Sequence, residues 1–108
     1  MHASLHALEA TLKPFGVKAS SMFGMPILAL ARKPICGEAE DGINFKLMPG
    51  TDPYAKALSL SGSHLFAPSM KGRTMIMKNW VVIPFVHEHL FPEFAAASLD
   101  MVRKELEV

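Results

Sequence analysis

With 108 residues, 50 % of them hydrophobic and 19 % charged, the chain is too apolar to remain disordered and long enough for one compact domain, 1–108, rather than two. A formal charge of +1, from 11 Lys+Arg and 10 Asp+Glu, excludes a histone-like or polybasic role, because no net field gathers a polyanion. The longest apolar stretch, Met22 to Ala31, is about ten residues where a membrane helix needs about twenty. No membrane association is expected, and the single Cys36 with no apolar leader in Met1 to Gly16 points to a reducing cytoplasm.

Leu5, Leu8 and Leu12 recur at i, i+3 and i+7, which predicts a short amphipathic helix from Ser4 to Lys13 that Pro14 ends. Extended segments follow at Ser20 to Phe23, Pro26 to Arg32 and Ile35 to Glu40, punctuated by Gly24-Met25-Pro26 and Lys33-Pro34. Asp41-Gly42 is the sharpest turn signal, expected to form a two-residue hairpin with positive φ at both positions. Beyond it Ile43, Phe45 and Leu47 alternate with Asn44, Lys46 and Met48, so one sheet face meets a core and the other is expected to be wet.

Asp52 as N-cap with Pro53 at the first helical position starts a second helix, expected to run to Leu60. Gly62 then breaks the chain. His64-Leu65-Phe66 reads as a short strand, Pro68 to Gly72 as a polar bend, and Met75 to Ile83 as the longest strand. In the final helix Phe91, Ala95, Ser98, Leu99, Val102 and Leu106 share one stripe, opposite Glu93, Asp100, Arg103, Lys104 and Glu107. The order is helix, four strands, helix, one or two strands, helix. This predicts an α+β two-layer sandwich, an antiparallel sheet with its helices on one face. The weakly held parts should be the first few residues and Glu105 to Val108.

Chemistry-bearing patterns are few. His87-x-His89 lacks the further ligands that a zinc site needs, and reads as a surface turn entering the last helix; His2 and His6 read as a solvated pair. Cys36 sits mid-strand as a small packing residue, no GxSxG, CxxC or HExxH pattern occurs, and an enzyme or metal site built on His64, His87 or His89 with Cys36 ranks last. No catalytic residue, metal or cofactor is expected.

The best candidate surface joins the loop Lys71-Gly72-Arg73 to the strand after it. Alternation puts Ile76, Lys78, Trp80 and Val82 on one face and Met75, Met77, Asn79, Val81 and Ile83 on the other. If the Met and Ile set packs inward, Lys78 and Trp80 join Lys71 and Arg73, with Lys46 nearby, in a basic patch for nucleic acid or an acidic partner. If Trp80 packs inward, which a lone Trp in a small domain favours, the patch shrinks to a charged rim.

Met22-Phe23-Gly24, Asn44-Phe45-Lys46-Leu47, Gly72-Arg73-Thr74-Met75 and Trp80-Val81-Val82-Ile83-Pro84 together resemble the N-terminal domain of the TfoX/Sxy family of bacterial competence regulators, over roughly Ser20 to Arg103. A more distant similarity is to YjbR-like small proteins, often labelled DNA-binding. The resemblance implies a two-layer α/β domain with an antiparallel sheet and a regulatory or interaction role, with no catalytic residues to carry over. Arg32-Lys33-Pro34 stands where the family commonly has a glycine turn. Full-length family members add a second domain after this one, so a role that needs it does not transfer. The expected function is a non-enzymatic module that binds an unknown protein partner or self-associates as a homodimer. Nucleic-acid binding through Lys71, Arg73 and Lys78 is the alternative.

Overall fold

The computed structural model describes residues 1–107, apart from the side chain of Met70. Elements follow as α1 (Ala3–Leu12), β1 (Lys18–Met22), β2 (Met25–Leu30), β3 (Lys33–Glu38), β4 (Gly42–Lys46), α2 (Asp52–Ser59), β5 (His64–Phe66), β6 (Ser69–Met70), β7 (Arg73–Thr74), β8 (Met77–Pro84) and α3 (Phe91–Leu106). The expected α+β architecture is present. The main sheet is fully antiparallel in the order β1-β2-β3-β4-β8-β5, while β6 and β7 form a separate hairpin where a plain bend was expected.

Leu5, Leu8 and Leu12 bury as their spacing requires, against Leu28, Phe45, Phe91, Phe94 and Val102 in one continuous core. In α3, Phe94 joins the buried stripe, whereas Leu106 is 42 % exposed because it lies beyond the sheet's reach at the last turn. The cap of α2 is Thr51, one residue earlier than expected; its side chain donates to the Met48 carbonyl rather than capping the helix.

Three two-residue hairpin turns have positive φ at both positions: Phe23-Gly24, Ala31-Arg32 and Lys71-Gly72. This conformation matches the right-handed twist of paired strands. Ala31 and Arg32 adopt it with side chains, at a cost of roughly 1–2 kcal/mol each, because the β2–β3 register leaves only two residues to close the hairpin.

Asp41-Gly42 is not such a turn. Glu38 pairs with Ile43, residues 39–41 connect β3 to β4, the Ala39 N–H donates to the Gly42 carbonyl at 2.9 Å, and neither Asp41 nor Gly42 has positive φ. Gly42 is needed instead for close approach, since a Cβ there would lie 2.0 Å from the Ile83 carbonyl oxygen on β8.

The second sheet face is wet only in part. Phe23, in the β1–β2 turn, meets Phe66 on β5 with ring centroids 6.2 Å apart, although four strand spacings separate β2 from β5, about 19 Å in a flat sheet. The sheet therefore coils until its two margins meet. Inside the coil Ile27, Ala29, Asn44, Trp80 and Val82 are buried apart from the helix-side core. Gly37 leaves space that Ile27 occupies, for a Cβ there would lie 2.6 Å from the Ile27 methyl.

At the chain start, expected to be weakly held, His2 makes specific contacts. The His2 N–H donates to Glu38 at 2.6 Å, the His2 ring stacks on Phe85 with centroids 3.9 Å apart, and its Nδ1 accepts the Ser4 N–H. His2 thus caps α1 while His6 lies 3.6 Å from Glu9, and both histidines are exposed as expected, though each has its own partner rather than the other. Glu105 is held too, by Lys33 and Lys46; Val108 lies outside the described residues.

Candidate interaction surface

The β6–β7 hairpin is closed by the Met75 N–H donating to the Pro68 carbonyl at 3.0 Å, with Lys71-Gly72 at its tip. Its short strands pair only with each other, so the tip projects with Lys71, Gly72, Arg73 and Thr74 all exposed. The chain then crosses to β8 through Met75 and Ile76, which are 53 % and 63 % exposed. Lys78 is exposed at the start of β8. Among the described residues, no carboxylate lies within ion-pair distance of Lys71, Arg73 or Lys78. These three cations and two apolar side chains lie within one largely exposed stretch of chain, Lys71 to Lys78.

Two of the five expected surface residues do not belong to it. Trp80 is only 6 % exposed and lies in the coil with Val82, while Val81 and Ile83 pack under the helices. Alternation along β8 is as expected and Trp80 packs inward, as a lone Trp favours, but Val81 and Ile83 of the opposite set are buried as well, because β8 is covered on both faces. Lys46, opposite Trp80 in the ladder, donates to Glu105 of α3 at 3.3 Å and leaves the patch. Sequence reasoning overlooked Met75 and Ile76 as surface by placing them inside the strand, which starts at Met77. A run of consecutive apolar residues after a glycine turn cannot show where strand pairing begins.

A second feature lies where the margins of the coil meet. Phe23, Met25, Phe66 and Val82 line an open cavity of about 500 Å³, with His64 and Asp41 at its edge. His64 Nε2 is 2.8 Å from Asp41 Oδ2, and its Nδ1 is 2.9 Å from the Leu65 carbonyl. Both partners can only accept, so the doubly protonated ring satisfies both contacts whereas a neutral ring satisfies one. The Leu65 carbonyl, followed by the Asp41 carboxylate, raises the His64 pKa above its ordinary 6.5, and slight burial opposes them. This interaction contributes its full stabilisation below the unfolded-state value and loses it as pH rises through the folded one. Asp41→Asn should bring the His64 titration midpoint down, as read by NMR of the ring protons; an unchanged midpoint would remove the pair from the account.

The remaining histidines and Cys36 do not converge. His87 Nε2 lies 2.8 Å from the Ser61 carbonyl, and His89 is exposed in the short 3₁₀ turn Phe85–Leu90. Cys36 is buried in the helix-side core, where desolvation pushes its thiol up to about 12, far from the thiolate a nucleophile requires. Among the described residues no group of three or more His, Cys, Asp or Glu is placed to hold a metal ion. Nor, among them, is any helix long and apolar enough to cross a membrane. No protein-family model, curated protein or solved structure matches the chain.

Proposed function

We propose that this chain is a non-enzymatic interaction module that engages a protein partner through the β6–β7 hairpin and the segment Met75 to Lys78. The observation that carries the reading is the exposure of Met75 and Ile76 between Arg73 and Lys78. Adjacent apolar side chains left in water at a projecting edge are what a partner would cover, and flexible Met adapts to its surface. The flanking cations select a partner with an acidic rim. The resemblance to the TfoX/Sxy N-terminal domain, a regulatory or interaction module of bacterial regulators, rests on sequence motifs and points the same way.

A second reading, nucleic-acid binding, is favoured by the three unpaired cations alone. Variants separate the two. Co-purification with crosslinking should yield a polypeptide that a Met75→Ser, Ile76→Ser variant loses, and light scattering shows whether that polypeptide is a second copy of the chain. DNA binding that weakens steeply with salt and disappears in Lys71→Ala, Arg73→Ala, Lys78→Ala would instead establish the nucleic-acid reading. A monomer with neither property rejects both.

A further inference from the structure

The open cavity where the margins of the sheet meet holds about 500 Å³, within the range of small-molecule sites. Distant segments build it: Met25 starts β2, Glu40 and Asp41 connect β3 to β4, and His64 and Phe66 belong to β5. Phe23, Met25, Phe66 and Val82 make much of its lining apolar. The charged side chains that line it form one cluster, because Glu40 and Asp41 are neighbours in the chain and Asp41 holds His64 at 2.8 Å.

Charge selects the sign of an occupant. Two carboxylates against one imidazole leave the lining net negative in either state of the ring. His64 engages only Oδ2 of Asp41, and among the described residues Glu40 makes no ion pair. Phe23 is the second, independent observation. Its φ of 54° is in the left-handed region, uncommon for a bulky side chain, yet it remains 45 % exposed, so burial does not offset the strain. Strain of this kind clusters at ligand sites. The Phe23 ring stands 6.2 Å from that of Phe66, and phenyl faces attract a cation within about 6 Å of their centroids. Rings and carboxylates therefore favour the same sign of ligand.

We infer that this cavity binds a small organic ammonium ion with an apolar body. Its ammonium group donates to Glu40 and to the Asp41 oxygen that His64 leaves unused, and its body lies against Phe23, Met25 and Phe66. The inference is independent of the interaction surface, which uses none of these five side chains.

Hexylammonium is the probe, titrated into the whole protein near neutral pH and followed by amide NMR. Heptanoate, with the same alkyl chain and opposite head, methylammonium, with the head alone, and hexanol, with an uncharged head, are the controls. Hexylammonium should shift amides of Phe23 to Met25, Ala39 to Asp41 and His64 to Phe66, and bind about tenfold more tightly than heptanoate or methylammonium, as a reversed charge or a missing apolar body requires. Glu40→Gln, a change at an exposed residue, should weaken hexylammonium about threefold and leave hexanol unchanged. Phe23→Ala should weaken hexylammonium about threefold as well. Equal binding of heptanoate, shifts confined to other regions, no shifts at millimolar hexylammonium, or unchanged hexylammonium binding by the Glu40→Gln protein would each overturn the inference. If Phe23→Ala fails to fold, the head-group comparison and Glu40→Gln still decide it.

Discussion

Phe45→Ala should lower stability by about 3–5 kcal/mol, the largest effect expected of any single truncation in this chain. Phe45 is fully buried in β4, with its ring 5.5 Å from that of Phe91 and 6.0 Å from that of Phe94, both tilted. It therefore joins the sheet to the first turn of α3, and its loss removes two aromatic contacts as well as buried area. The helix cannot settle into the cavity, because Leu99 and Val102 hold it against the sheet further along. Chemical denaturation monitored by circular dichroism measures the change. Phe45→Leu, which keeps most of the volume, should lose less than half as much. A loss under about 1 kcal/mol for the alanine variant would show that the helix and sheet repack freely, contrary to the close packing typical of protein interiors.

Gly42→Ala should cost about 3 kcal/mol, at the upper end of overpacking effects, and lower Tm by more than about 10 °C in a domain of this size. The new methyl would lie 2.0 Å from the Ile83 carbonyl oxygen, 2.6 Å from its carbon and 2.8 Å from the Pro84 Cα. All three are backbone atoms, so no side-chain rotation relieves the clash and the β4–β8 pairing must open. Gly50→Ala is the contrasting control, because nothing lies within 4 Å of its Cβ position. Gly50 does have a φ of 87°, so that control reports backbone strain alone, about 1–2 kcal/mol. Thermal unfolding of the two variants side by side separates close approach from left-handed conformation. Equal losses would return Gly42 to the role of an ordinary turn glycine.

The sequence by itself determined the elements whose cause is local. Three leucines at helical spacing produce α1, the alternation of Ile43, Phe45 and Leu47 places them on the core side of β4, and the Phe91 to Val102 stripe produces α3. Gly24 and Gly72 mark turns because positive φ is a property of the residue itself.

Only the tertiary structure decided what depends on chain segments meeting. The coil of the sheet brings Phe23 to Phe66 and buries Trp80 and Val82 on the face opposite the helix-side core, a choice that alternation alone leaves open. Asp41 reaches His64 across 23 residues, and Lys46 reaches Glu105 across 59. Neither pair leaves a periodic trace in the sequence. The same holds for Gly42, whose need for a missing side chain comes from β8 rather than from its own turn. Periodicity records which side of an element is apolar; the curvature of the sheet and the approach of distant strands fix what that side touches, and with it which cations remain free for a partner.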